Sequence, residues 1–136
     1  PLNYAAWRDH TKIIRTLLSS LQSANRLKLL MMYELTPLHT AALYGATESV
    51  KMILDYLTAD QQTQIISVQS ADGLTAIQWA ERDRYTDTVR ILREYQHRAE
   101  NHLKEEYSKF IIHNLHLSKR RTWKHMNCQT LLCESS

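Results

Sequence analysis

The stretch that decides the fold reads Thr36-Pro37-Leu38-His39-Thr40-Ala41-Ala42-Leu43-Tyr44-Gly45. Thr36 is a favourable helix N-cap, and Pro37 suits the first helical position, where its missing N–H costs nothing. From Leu38 onward, leucine and alanine recur at the i, i+3, i+4 spacing of one helix face. Gly45 is typical of the residue that follows a helix end. The stretch therefore predicts a short amphipathic helix.

A second helix is predicted directly after this stretch, with Thr47 as its N-cap and Thr11 and Thr86 in the same role elsewhere in the chain. Its apolar stripe consists of Val50, Ile53, Leu54 and Leu57. One pair of helices cannot bury such a stripe alone. We therefore expect neighbouring units to stack on this one.

The same two-helix pattern occurs twice more. Residues 1–6 match residues 37–42 at an offset of 36, and residues 75–80 match residues 36–41 at an offset of 39. A second block behind each segment matches at the same two offsets. Two blocks that share an offset indicate internal repeats, and such repeats are typical of solenoids.

Between the helix pairs the pattern changes from helical to alternating. Ile66 and Val68 alternate before the turn signal at residues 70–73, and Leu27 and Leu29 hold the equivalent positions one unit earlier. The sequence therefore predicts extended turns between the units. Extra residues fall near 19–26 and 58–64, where we expect Asp60 to cap a short additional helical turn.

The quoted stretch resembles the ankyrin signature T-P-L-H-x-A-A-x-x-G, and residues 72–75 resemble the D-G-x-T that leads into an ankyrin repeat. The resemblance covers about residues 1–98, with spacings longer than the usual ~33 residues. The outer units depart from the signature at Asn3, Asp9, Ala76, Gln78 and Arg84.

The resemblance implies an all-α fold, a short ankyrin-type solenoid of about three helix pairs with extended turns between them and a C-terminal helix. Residues 1–100 would hold the repeats, at about 1–35, 36–74 and 75–98. We expect Asn101 to cap a helix over 101–118, with an apolar stripe of Leu103, Tyr107, Phe110 and Ile111. This helix would cover the last repeat, or alternatively be presented to a partner.

Ankyrin-like arrays bind partners with a concave face, which is built from the turn tips and the exposed side of each first helix. Carrying the pattern over by position predicts one binding set per unit. The sets are Trp7 and Arg8; Met32, Tyr33, Leu35, Leu43 and Tyr44; and Asp72, Leu74, Arg82 and Asp83. Tryptophan, tyrosine and arginine most often dominate binding energy. The alternative is that these side chains pack against the inserted segments or against further repeats N-terminal to this chain.

Several kinds of chemistry are not expected from this chain. With two glycines it cannot contain a G-x-G-x-x-G loop, and no nucleophile–base pair stands out. We assign His39 a structural role, since a lone histidine without an orienting partner is a poor catalyst. The spacing of Cys128 and Cys133 does not suit zinc. We therefore predict no catalytic, cofactor or metal site, and few cysteines indicate an intracellular protein.

The net positive charge of the chain comes from residues 101–136. Residues 1–100 hold 11 basic and 11 acidic side chains, whereas the net charge of the whole chain is +3. We predict a basic, flexible tail over 119–136, whose basic run consists of Lys119, Arg120, Arg121 and Lys124. Such a run could bind nucleic acid or an anionic membrane, but neither is the expected partner.

The predicted function is that of a non-catalytic scaffold or adaptor, within a larger protein, that binds another protein. One alternative is the ankyrin portion of an enzyme or channel whose catalytic or membrane part lies outside the chain. A second alternative is an adaptor for nucleic acid or an anionic membrane that acts through the basic tail.

Overall fold

The computed structural model describes the backbone of residues 2–134 and the side chains of residues 2–117. This part of the chain is all-α and contains no strand, as predicted. The helices are α1 Leu2–Trp7, α2 Thr11–Ser19, α3 Ser23–Leu30, α4 Pro37–Leu43, α5 Thr47–Asp55, α6 Ala59–Ser67, α7 Ala76–Arg82 and α8 Thr86–Glu134. The chain divides into two compact parts, Pro1–Asn101, which we call the repeat part, and His102–Ser136, which we call the C-terminal part.

Three helices begin with the same local device, a capping box. In each box a threonine side chain accepts a backbone N–H, and the residue three positions later returns a bond to the threonine N–H. The pairs are Thr36 with His39, Thr58 with Gln61, and Thr75 with Gln78. The predicted cap at Thr36 is confirmed. The predicted cap at Asp60 is wrong, because the cap of α6 is Thr58, two residues earlier, and the helix begins at Ala59.

The second helix of a unit is capped differently from the prediction. Thr47 is the first residue of α5, and Ala46 before it has no side chain that can cap. The Asp9 carboxylate from the neighbouring unit accepts the Ser49 backbone N–H at 2.9 Å and the Ser49 hydroxyl at 2.6 Å. The cap of α5 therefore also joins two units.

The segments that follow the first and the second helix pair are helical rather than extended. Leu27 and Leu29 lie in α3, and Ile66 lies in α6, so the predicted extended character is wrong for these residues. Val68 is extended, and a tight turn follows, in which the Ser70 N–H bonds to the Leu74 carbonyl at 2.9 Å. The first two units therefore consist of three helices each.

These additional helices are attached by equivalent side chains. Arg26 of α3 donates from Nε to the Leu18 carbonyl at 2.7 Å, and Gln62 of α6 donates to the Leu54 carbonyl at 2.8 Å. The two donors are 36 residues apart, as are the two acceptors. Each donor satisfies a carbonyl at the end of the preceding helix, which would otherwise lack a partner.

The core of the repeat part comes from the stacking of like helices. Helix α1 packs on α4, α4 on α7, and α2 on α5. Ala5, Ala41 and Ala80 are fully buried, and their small side chains let the first helices approach closely. The predicted apolar stripe of α5 is buried as well. The stacked helix pairs thus confirm the solenoid, while the repeat limits near 35 and 74 stay a prediction.

Helix α8 differs from the predicted C-terminal arrangement. It runs from Thr86 through Glu134 without a break, so a helix start at Asn101 is wrong. Tyr107 and Phe110 are 65% and 63% exposed. That this stretch covers the last repeat stays a prediction. The side chains of the predicted basic tail lie outside the described residues.

Candidate functional site

The repeat part carries an exposed cluster of three aromatic side chains, which we call the aromatic patch: Tyr4, Trp7 and Tyr44. The Tyr4 and Trp7 ring centroids are 5.5 Å apart with edge-to-face geometry, and those of Trp7 and Tyr44 are 5.8 Å apart. The three side chains are 53%, 43% and 50% exposed, respectively. Rings held in mutual contact lose little conformational freedom when a partner binds them.

Two titratable side chains border the aromatic patch. The Arg8 guanidinium lies 5.3 Å from the centroid of the Trp7 ring, and the His10 ring lies 6.3 Å from that of Tyr4. Both are exposed. A guanidinium stacked on an indole keeps its hydrogen-bond donors free at its edge. The rim of the patch therefore carries a fixed positive charge.

Matching turns place the two halves of the aromatic patch side by side. Asp9 and Gly45 both have a positive φ, of 55° and 65°. In each turn, the N–H of the next residue returns to a carbonyl of the preceding helix at 2.8 Å. Because α1 packs on α4, the residues just before these turns become neighbours. This is how Trp7 and Tyr44, 37 residues apart, come into contact.

The other predicted residues of the second unit lie elsewhere. Met32 and Tyr33 line an open apolar groove of about 490 Å³ together with Leu2 and Pro37. Both are well exposed, and neither has a ring contact with the aromatic patch. The Leu35 backbone carbonyl accepts a hydrogen bond from the Asn3 side-chain amide at 3.0 Å.

The predicted residues of the third unit form no comparable cluster. Arg82 lies over the Trp79 ring at 5.2 Å, and Asp72 and Asp83 are exposed. Leu74, like Leu43 of the second unit, is half-buried against the core. The structure therefore brings together Trp7, Arg8 and Tyr44 of the predicted set.

Tyr4 is the member of the patch that sequence reasoning missed. It aligns with Thr40 and Trp79, which are both buried, so position alone indicates a core residue. The available signal was the spacing to Trp7, since residues at i and i+3 are neighbours on a helix surface. Trp79 itself is a core residue, and its indole N–H donates to the Ser70 hydroxyl at 3.1 Å.

His39 has the structural role that was predicted. Its Nδ1 accepts the Thr36 backbone N–H at 3.2 Å, and its Nε2 bonds to the Val68 carbonyl at 3.0 Å. These partners require the neutral tautomer with the proton on Nε2. Burial lowers the pKa of His39. The side chain therefore ties the start of α4 to the linker before the next unit.

Metal and membrane features are limited to statements about the described residues. Within them, no group of three or more His, Cys, Asp or Glu side chains is arranged to hold a metal ion. No helix in that part of the chain combines the length and hydropathy of a membrane span. The side chains of the basic run, Lys119, Arg120, Arg121 and Lys124, lie outside it, as do those of Cys128 and Cys133.

Comparison with known families decides what kind of array this is. A family model of three ankyrin repeats matches residues 2–105. The chain belongs to the ankyrin-repeat family. Ankyrin repeats are generally protein–protein interaction modules and are typically non-catalytic. No curated protein and no solved structure is found to match the chain.

Proposed function

We propose that the chain is a non-catalytic protein-binding module that docks its partner on the aromatic patch. The observation that carries this proposal is the contact between Trp7 and Tyr44 across two repeats while both rings stay about half exposed. Exposed aromatic rings in contact with one another are a frequent centre of binding energy. The partner-facing positions of the ankyrin family support the same surface.

The chemistry of the aromatic patch indicates what it accepts. Three rings offer apolar faces, while the tyrosine hydroxyls and the indole N–H offer hydrogen bonds at the rim. Arg8 adds a charged donor next to Trp7. We therefore expect a partner segment with an apolar anchor residue that is followed closely by an acidic side chain.

Photo-crosslinking tests the location of the docking surface. A photoreactive phenylalanine analogue replaces Tyr44 in one version of the chain and Tyr33 in another. Tyr33 is 65% exposed and lines the groove outside the patch, which makes it the matched control. We expect a crosslinked protein from position 44 and none from position 33. Crosslinks to the same protein from position 33 alone would contradict the proposal.

Affinity capture with paired substitutions tests the contribution of the rings. Trp7→Ala combined with Tyr44→Ala should abolish capture of the crosslinked protein, whereas Met32→Ala combined with Tyr33→Ala should preserve it. Both pairs remove two exposed side chains from the repeat part, so the loss of exposed side chains in general cannot explain a difference between them. If the second pair abolishes capture and the first does not, the groove is the docking surface and the patch is not.

A further inference from the structure

One side chain joins the two repeats that carry the aromatic patch. The Asp9 carboxylate, in the turn between α1 and α2, accepts both the backbone N–H and the hydroxyl of Ser49 through the same oxygen, Oδ1. Asp9 is exposed, whereas Ser49 is fully buried in the first turn of α5. The carboxylate therefore reaches from the surface of one repeat into the next. We call this pair of bonds the Asp9 clamp.

The backbone at Asp9 has a conformation that is unfavourable for a residue with a side chain. Its φ is 55°, in the left-handed region, and Gly45 holds the equivalent place 36 residues later. Glycine adopts this conformation more readily than aspartate does. A non-glycine residue persists there when its contacts in the folded protein over-determine it. The two bonds to Ser49 are contacts of that kind, and they offset the strain.

The capping of α5 alone does not account for the Asp9 clamp. In α2, the N–H equivalent to that of Ser49 belongs to Ile13, and it bonds within its own turn to the His10 carbonyl at 3.2 Å. The first turn of such a helix can therefore satisfy this N–H locally. In α5 the same N–H bonds across the repeat junction instead. The clamp thereby fixes the position of one repeat on the next, which a local bond does not do.

The Asp9 clamp lies close in the sequence to both rings of the junction. Asp9 follows Trp7 by two residues, and Ser49 follows Tyr44 by five. The Trp7 and Tyr44 ring centroids are 5.8 Å apart, so the clamp and the ring contact bracket the same short segments of both repeats. Both rings are about half exposed, and their mutual contact alone gives them a weak hold on one another.

In the described part of the chain, the next repeat junction has neither the carboxylate nor the ring pair. There Gly45 takes the place of Asp9, and the Tyr85 ring lies over the glycine. Asp83 takes the place of Tyr44, so two rings do not meet at that position. The Asp9 clamp therefore occurs at the junction where two exposed rings are held together.

We propose that Asp9 is a positioning residue of the aromatic patch, which holds Trp7 in contact with Tyr44 by clamping its repeat to α5. The proposal rests on the proposed function in one respect, since the rings that it holds are the docking surface. Aromatic rings that are fixed before binding lose less conformational freedom when a partner arrives. Asp9 therefore raises the affinity through Trp7 rather than through a contact of its own.

Nuclear magnetic resonance of the full chain tests the positioning without a partner. The wild type should give Overhauser cross-peaks between the Trp7 indole and the Tyr44 ring. Asp9→Gly suits the backbone conformation but has no carboxylate, so these cross-peaks should be lost. Asp9→Asn keeps an oxygen that can accept both bonds, and it should retain the cross-peaks. Cross-peaks that persist in Asp9→Gly would overturn the proposal.

Arg84→Gly is the matched control, because Arg84 occupies the equivalent left-handed turn after α7 with a φ of 61°. This variant gains the same backbone freedom as Asp9→Gly but lies outside the Asp9 clamp. We expect the cross-peaks between Trp7 and Tyr44 to be unchanged in it. If they are lost there as well, glycine in these turns loosens the array in general, and Asp9 has no specific positioning role.

A double-mutant cycle on affinity separates positioning from a general effect on stability. The purified partner that the aromatic patch captures is titrated with the wild type, Asp9→Gly, Trp7→Ala and the double variant. Asp9→Gly should weaken binding about tenfold in the wild type and leave the affinity of the Trp7→Ala chain unchanged, because Asp9 acts through that ring. An equal loss in both backgrounds would overturn the positioning role. If no partner binds the patch, the proposed function fails, whereas the cross-peaks still decide whether Asp9 positions the rings.

Discussion

At the residue scale, polar side chains hold the starts of three helices. His39 satisfies the start of α4 and reaches the Val68 carbonyl, whereas Gln61 and Gln78 make the equivalent caps of α6 and α7. A glutamine can thus replace the histidine within the cap. The histidine adds an ionisable group in a buried place, where its charged form is disfavoured.

The lowered pKa of His39 predicts that stability depends on pH. The unfolded chain binds a proton near pH 6.5, while the folded chain resists it, so the free energy of unfolding falls as the pH drops below that value. His39→Gln should remove this fall, which amounts to about 1 kcal/mol for each pH unit. Urea unfolding at pH 7.5 and 5.5 measures it. The exposed His10 provides the control, and a His10→Gln variant should keep the dependence of the wild type. Equal dependence in the His39 variant would contradict the prediction.

Gly45 is required both for its backbone conformation and for the space it leaves. Its φ is +65°, and a Cβ atom there would lie 2.6 Å from Cδ1 of Tyr85. Gly45→Ala should therefore lower the free energy of unfolding by about 3 kcal/mol, from strain and overpacking together. Gly73 has a φ of +77° but open space around it. Gly73→Ala should cost only about 1 kcal/mol. Equal losses in urea unfolding would show that the Tyr85 ring moves aside.

At the element scale, the sequence predicted the stacked helices, missed α3, and predicted only a short helical turn where α6 lies. The signature at residues 36–45 gives α4 its cap, face and end within ten residues, so local chemistry alone specifies it. Helix α3 has a short, uneven apolar pattern, in which Leu27 and Leu29 resemble alternation. Its attachment depends on Arg26, whose acceptors at residues 18 and 56 are distant in the sequence. Such tertiary contacts are not visible in a local pattern.

The attachment of α3 is open to a direct test. Arg26 donates to the Leu18 and Tyr56 carbonyls at 2.7 and 3.2 Å. Arg26→Met keeps the aliphatic stem and loses these bonds, which should lower the free energy of unfolding by about 2 kcal/mol. Arg15→Met, at an exposed site of α2, should change it by less than about 0.5 kcal/mol. Urea unfolding compares the two variants. A loss no larger than that of the control would mean that α3 is held by its apolar contacts alone.

At the scale of the whole molecule, the stacking of repeats creates the proposed docking surface. The repeat part presents the aromatic patch at the junction of two repeats. Sequence position predicted Trp7 and Tyr44 because both lie at the end of the first helix of a repeat. It could not separate them from Met32 and Tyr33, since only the stacking of α1 on α4 decides which aromatic rings meet.

The affinity of the captured partner for the purified chain tests most directly that the aromatic patch is the docking surface. Titration calorimetry compares the wild type, the Trp7→Ala and Tyr44→Ala pair, and the Met32→Ala and Tyr33→Ala pair. Loss of two contacting aromatic anchors should weaken binding at least about a hundredfold, while loss of the groove pair should weaken it by less than about threefold. Circular dichroism of the three proteins should be the same, because all four side chains are exposed. Unchanged affinity of the Trp7 and Tyr44 variant would contradict the proposed docking surface.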